Sequence, residues 1–316
     1  MDAAAPGAGI KMDARQREQV QRVFGGDVQW DCPMAPYTTF GVGGPAEALC
    51  KCRNLPRLTW LMAFLHRERI PFVVLGRGSN VLIRDSGFPG VVGHLADDLA
   101  SLEEGPEGPP SLAAGGGAPI AEVLNHCRGR GWSGVEFLAG IPGTAGGAAA
   151  MNAGAWGKEM SGVVHGIETV DATGEVVFRE RAGLRFSYRS LSLPEGAVIT
   201  KVLLLLTQRD PEGVSRAMTE YLARRKAGQP LDLPSAGSVF RNPPNDHAGR
   251  LIDEAGLKGK RVGGAVISPK HANFIVNTGG ATACDVLELI EQVRRRVHEE
   301  HGVWLEPEVC VIGEDG

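Results

Sequence analysis

The sequence predicts a mixed chain of the α+β class, built as two or more domains. Three observations predict it. The 316 residues exceed what one ordinary hydrophobic core spans. Hydrophobic residues at 43% and charged residues at 22% are the values of a globular chain able to bury a full core. Runs with the two-residue period of strands alternate with runs of helical period, and no internal repeat interrupts them.

The elements follow in order. A small acidic stretch, residues 1–9, has neither the basic start nor the apolar run of a signal peptide, and a helix is expected over 14–24. Residues 46–52 read as a strand. Residues 56–69 read as a helix with Leu58, Leu61, Met62 and Leu65 on one face and Asn54 near its start. Short strands over 72–75 and 81–83 flank Gly76-Arg77-Gly78-Ser79-Asn80. The middle region, 85–208, is richest in glycine and short strands, over 80–93, 168–179 and 197–207, with a helix over 120–130 and an exposed turn over 104–110. A third region opens on the turn signal Asp210-Pro211-Glu212-Gly213. Its first helix, 214–226, carries Val214, Ala217, Met218, Tyr221 and Leu222 on one face. The second, 284–300, carries Val286, Leu289, Ile290, Val293 and Val297, with Thr282 as cap and Gly302 as stop.

Composition excludes several classes. A formal charge of −4 gives no electrostatic reason to expect a nucleic acid or an anionic membrane as partner. No run of about 18 apolar residues appears, so no membrane span is expected. The six cysteines are scattered, as in a cytosolic protein with reduced, mostly buried thiols. Cys50 and Cys52 share one face of a strand without a second pair, so no metal site is expected.

The 44 glycines are about twice the average usage of roughly 7%. They concentrate where chemistry is expected. Gly76-Arg77-Gly78-Ser79-Asn80 follows a strand and can present backbone N–H groups to phosphate oxygens, or it is simply a glycine hairpin. A dinucleotide fingerprint of the Rossmann type would continue into a helix, and Val81-Leu82-Ile83 continues as a strand instead. The second stretch, 134–157, holds seven glycines interleaved with alanines, and no charge stands between Leu138 and Gly157. Such a segment leaves room for a bulky ligand against main chain.

Gly140-Ile141-Pro142-Gly143-Thr144-Ala145-Gly146-Gly147, with Met151-Asn152-Ala153-Gly154 and the earlier Gly76–Asn80 segment, resembles the FAD-binding region of the UDP-N-acetylenolpyruvoylglucosamine reductase family. Residues 39–46, Tyr188-Arg189, 235–243, 248–259, 268–275 and 305–309 resemble the family's other motifs in the same order, so the resemblance runs from about Tyr37 to Gly313. It implies a vanillyl-alcohol-oxidase-type (PCMH-type) FAD-binding fold in two parts with a C-terminal α/β substrate-binding domain. The domains implied are 1–36 as tail and helix, 37–84 and 85–208 as the FAD-binding parts, 209–304 for substrate, and 305–316 as a strand returning to the FAD-binding part.

The resemblance further implies non-covalent FAD held by Gly76, Gly78, Ser79 and Asn80, by Gly140, Ile141, Pro142, Gly143, Thr144, Gly146 and Gly147, and by Asn152, Ala153 and Gly154. NADPH is implied as co-substrate and a UDP-sugar as substrate. The implied catalytic residues are Arg189 for the carboxylate of the enolpyruvyl group, Ser238 as proton donor and Glu308 as the third. Glu306, two residues away, would point the same way on a strand, and only the place before Val309 favours Glu308. Tyr188, Arg189, Lys226 and Asn242 are the implied substrate contacts. Arg224 and Arg225 form either a basic rim for pyrophosphate or a solvated helix face, and His271 is expected to be a structural hydrogen-bonding residue. One departure stands out. Only residues 208–213 separate Thr207 from Val214, too few for the inserted tyrosine loop of the family's larger branch, which places the chain in the shorter branch.

Two competing readings remain open on the residues. A sugar or alcohol oxidase on the same fold would often tether FAD through histidine or cysteine, and neither occurs between Gly131 and Gly157. A flavin-binding protein without turnover would not need Arg189, Ser238 and Glu308. A cytoplasmic monomer is the expected setting.

Overall fold

The computed structural model describes residues 11–314 and divides them into two compact units. The expectations for residues 1–9 fall outside the described residues. One unit holds the chain through Asp31, Glu47–Gly76 and Pro89–Ala223; the other holds Cys32–Ala46, Arg77–Phe88 and the chain from Arg224 onward.

In the first unit, helix α1 (Ala14–Phe24) begins at Asp13, whose carboxylate accepts from the Gln16 N–H while the Gln16 side chain caps the Asp13 N–H. Helix α2 (Leu55–Glu68) begins at Asn54 by the same logic, its side chain accepting from the Arg57 N–H. Leu58, Leu61, Met62 and Leu65 are all buried, and they pack in one core with Cys50, Cys52 and Val91. Helix α3 (Ile120–Arg130) and the short α4 (Ala145–Ala150) share a second core with a five-stranded antiparallel sheet. That sheet runs in the order Val176–Glu180, Val164–Val170, Val198–Leu205, Ser111–Gly115, Leu102–Glu104.

Helix α5 runs over Pro211–Gly228, so the turn signal at Asp210 turns out to be a helix start. The Asp210 carboxylate accepts from the Gly213 N–H at 2.6 Å, and Pro211 occupies a position where its missing N–H costs nothing. The expected stripe is shallower than the pattern implies: only Val214 is fully buried, and Met218 and Tyr221 pack at the edge of the second core. Just Arg209 and Asp210 lie between the strand Thr207–Gln208 and α5, so no loop is inserted there.

The second unit is built on α6 (Ala248–Glu254), α7 (Ala283–His301) and a three-stranded sheet, Arg261–Val262, Ala265–Ile267, Ile275–Asn277. Thr282 and Asp285 cap α7 reciprocally, and Gly302 ends it at φ +70°. The Asp85 carboxylate adds a second cap, accepting from the Ala283 and Cys284 N–H groups. Val286, Leu289, Ile290, Val293 and Val297 form the core with Leu251, Ile267 and Phe240. The strand Cys310–Ile312 runs parallel to Val81–Ile83.

Cys32, Cys50, Cys52 and Cys127 are buried, while Cys284 and Cys310 are exposed. All are free thiols. Among the described residues no helix is long and apolar enough to cross a membrane.

Candidate active site

A cavity of about 290 Å³ opens in the first unit. Gly76, Thr144, Gly146 and Gly147 line it, together with residues 72–75, Leu95, Gly116, Gly117, Ala150, Leu193 and residues 196–199. Apolar side chains, Phe72 among them, and glycine backbone make the wall, and the Thr144 hydroxyl is the one side-chain hydroxyl in the lining. Such a lining suits a flat, weakly charged ring system laid against main chain. The fit is tight because side chains are excluded: a Cβ on Gly76 would stand 2.6 Å from the Thr144 Oγ1, which itself accepts from the Gly147 N–H to cap α4. The triple glycine 115–117 escaped the sequence reading, although three consecutive glycines after a strand were signal enough.

The segment 140–144 leads into this wall. Ile141 packs at the edge of the second core, the Gly143 carbonyl accepts from the Ile120 N–H, and Gly140 and Gly143 adopt positive φ. Pro142 stands between them in the same loop. Beyond α4, Ala153 packs at that core's edge and its N–H donates to Ala148 O.

Asn152 behaves differently from its neighbours. It is 1% exposed, and its side chain is committed inside the protein, to Glu159, Ser187 O and the Ser161 N–H.

Tyr188 and Arg189 are the two loop residues of a hairpin between Phe186–Ser187 and Ser190–Leu191, in which Ser187 pairs with Ser190. Arg189 has φ +56°, the left-handed position that such a turn usually gives to glycine. A non-glycine residue there costs on the order of 1–2 kcal/mol and persists only when its surroundings hold it. Arg189 Nη1 donates to the Gly154 carbonyl at 2.9 Å, and its guanidinium lies 5.4 Å from the centroid of the half-exposed Tyr188 ring.

The second unit holds the remaining predicted residues. Gly78, at φ +60°, leaves no space for a side chain, since a Cβ would stand 2.1 Å from Tyr37 O. The Thr39 N–H donates to Gly78 O at 3.1 Å and its Oγ1 donates to Ser235 O at 2.7 Å, which ties the Gly78-Ser79-Asn80 turn to the segment carrying Ser238. Asn80 Nδ2 donates to Glu308 O at 3.0 Å, and the Glu308 N–H donates to Val239 O at 2.7 Å. Asn273 is buried and clamps Phe240, accepting from its N–H and donating to its carbonyl. Ser238 and Glu308 are therefore neighbours on paired extended segments, both half-buried. Glu306 is exposed, which separates it from Glu308 where spacing alone did not.

Lys226 lies exposed near the end of α5, its carbonyl accepting from the Lys270 ammonium. Asn242 Oδ1 accepts from the Ala248 N–H at the start of α6. Arg225 is buried and donates to Gln229, so of the expected basic rim only Arg224 is exposed. His271 Nδ1 accepts from the Asn273 N–H, the structural part expected of it.

The chain is 44% identical over 301 residues to the UDP-N-acetylenolpyruvoylglucosamine reductase of Syntrophus aciditrophicus, across 95% of this chain and 96% of that protein. This chain belongs to the UDP-N-acetylenolpyruvoylglucosamine reductase family. The protein of that name from Anaeromyxobacter dehalogenans is 46% identical over 298 residues, covering 94% of this chain and 89% of that one. A crystal structure of UDP-N-acetylenolpyruvylglucosamine reductase from Thermus caldophilus aligns with a TM-score of 0.78 at 40% identity, over 90% of this chain and 98% of that chain. A family model described as an FAD binding domain matches residues 46–178, and one described as the C-terminal domain of UDP-N-acetylenolpyruvoylglucosamine reductase matches residues 229–312. The FAD-binding fold with a C-terminal domain that the sequence implies is thus borne out. Ser238, Asn242 and Glu308 fall in the C-terminal match of this reductase family member, most of the cavity lining in the FAD-binding match, and Arg189 between the two.

Gly76→Val tests the wall of the cavity. It should purify with at least tenfold less bound FAD at unchanged helix content, because the new side chain displaces Thr144. Gly129→Ala, where a Cβ meets nothing within 4 Å, is the control and should keep full cofactor. Equal FAD content in both variants would mean that the cavity is not part of the cofactor site.

Proposed function

We infer that this chain is a flavin-dependent oxidoreductase that uses NADPH to reduce UDP-N-acetylglucosamine enolpyruvate to UDP-N-acetylmuramate, a step of peptidoglycan precursor synthesis. The observation that carries this reading is 44% identity across nearly the whole chain to a reductase of that name. When bound, FAD would supply the two-electron hydride chemistry that links NADPH to the enolpyruvyl double bond. The cavity wall at Gly76, Thr144, Gly146 and Gly147 would hold the cofactor without a covalent tether.

The residues of the chain manage charge and protons. Hydride addition to the terminal carbon leaves its neighbour carbanionic, with charge spread into the carboxylate. Arg189 offers that carboxylate a planar set of donors, held in one orientation by the bond from Nη1 to Gly154 O. Ser238 gives its hydroxyl proton to the carbanionic carbon, which completes the loss of the double bond. Glu308, in its protonated form, polarises the carboxylate. Tyr188, Lys226 and Asn242 contact the UDP-sugar. The enzyme works as a monomer in the cytoplasm.

The oxidase alternative, with oxygen as acceptor, is disfavoured by the lack of any tethering histidine or cysteine between Gly131 and Gly157. The protein should purify yellow, release FAD into the supernatant on denaturation, and bleach anaerobically with NADPH. A colourless protein that takes up no FAD on reconstitution would remove the basis of this reading.

A further inference from the structure

The pair of residues that faces itself across the hairpin Gly154–Ala155 and Lys158–Glu159 grips the Arg189 turn at two points. Gly154 receives the guanidinium at its carbonyl. Its register partner Glu159 acts at the other point, through Asn152. Glu159 Oε2 accepts from Asn152 Nδ2 at 2.8 Å and from Ser161 Oγ at 3.3 Å. The same Asn152 Nδ2 donates to Ser187 O at 3.0 Å, the carbonyl that opens the two-residue loop Tyr188-Arg189.

The amide of Asn152 has only one orientation that works. Its oxygen must face the Ser161 N–H, a donor, and its nitrogen must face a carboxylate and a carbonyl, both acceptors. All three hydrogen-bonding positions used are satisfied at a site 1% exposed. Asn152 itself sits at φ +41°, so a second left-handed residue is fixed beneath the first. Gly154 has no room for a side chain: a Cβ there would stand 2.9 Å from Glu159 Cγ and 2.7 Å from Lys158 O.

We propose that Glu159 is a positioning residue for Arg189, holding the Asn152 amide so that the left-handed Tyr188-Arg189 turn is presented in one geometry. The proposal rests on the role given to Arg189 above. Removal of the carboxylate leaves a buried Asn152 N–H without its acceptor, and the turn, already strained, loses its support from below.

The test is a double-mutant cycle in the FAD-loaded protein, reading each half of the turnover separately. Glu159→Ala should slow reoxidation by the enolpyruvyl substrate roughly 10- to 100-fold, the usual weight of an orphaned buried polar partner. Flavin reduction by NADPH should stay within about twofold. Glu159→Gln keeps an acceptor oxygen for Asn152 and should recover reoxidation to within a few fold. In an Arg189→Lys background, Glu159→Ala should cost less than about threefold further, since both changes act on one group. Amide exchange over 187–191 should quicken in Glu159→Ala and not in Arg189→Lys. Full additivity of the two substitutions, or unchanged exchange over the hairpin in Glu159→Ala, overturns the proposal, as does a parallel loss of both half-reactions together with FAD. An Arg189→Lys variant with normal reoxidation would instead sink the role of Arg189 itself, and the hairpin exchange would still report on Glu159.

Discussion

Ser238→Ala should split the catalytic cycle in two. Reduction by NADPH needs no proton from Ser238 and should proceed at close to the wild-type rate. Reoxidation by UDP-N-acetylglucosamine enolpyruvate needs a proton on carbon in or just after the hydride step. It should slow by roughly 10²–10⁴-fold, the usual contribution of a positioned general acid. The substitution removes one hydroxyl from a half-buried site, and the flanking segment is held independently by Asn273, which grips both polar groups of Phe240. The fold should therefore survive, and a rate change reports the hydroxyl. Ser238→Cys should fall between, because a thiol can donate but is larger and differently placed. Stopped-flow with the two substrates added separately reads both steps. Equal slowing would make Ser238 a structural residue of its pocket, and no slowing would point to a bound water as the donor.

Arg189→Lys should cost on the order of 10²-fold or more in reoxidation. Both residues would face the same left-handed backbone position at φ +56°, so the comparison isolates the head group. A guanidinium anchored at Gly154 O still presents further N–H groups in its plane, whereas an ammonium that takes the same anchor offers only a point charge beside it. Substrate affinity should fall less than the rate, because the charge on the carboxylate grows as the hydride arrives. A variant that turns over at a near-normal rate would mean that another cation stabilises the enolate.

Much of the fold was legible because its helices are amphipathic and punctuated. Asn54, Thr282 and Gly302 cap or end their helices as their chemistry predicts, and the stripes of α2 and α7 are the cores of their units. Local rules failed at Asp210, Asp85 and Arg225, and only the contact of Asp85 is long-range. Asp210 reads as a turn residue but starts α5, since the same carboxylate-to-N–H bond serves both purposes. Asp85 caps α7 from 198 residues away, which no local pattern encodes. Arg225 reads as exposed and is buried against Gln229.

The candidate site divides similarly. Gly76, Thr144, Gly146 and Gly147 were visible as a glycine-rich motif and do line one cavity. Glu159 was invisible, because it reaches Arg189 only through Asn152 and a hairpin whose register the sequence does not announce. Glu308 and Glu306 could be separated only once the pairing with Val239 and Arg241 placed one half-buried and the other exposed.

NADPH oxidation by the yellow protein, with and without UDP-N-acetylglucosamine enolpyruvate and in air and without oxygen, separates a reductase from an oxidase. Oxidation should be rapid only with the enolpyruvyl sugar nucleotide and independent of oxygen, with a product heavier by two hydrogens and of the mass of UDP-N-acetylmuramate. NADPH oxidation that follows oxygen and ignores the sugar nucleotide would contradict the reductase reading.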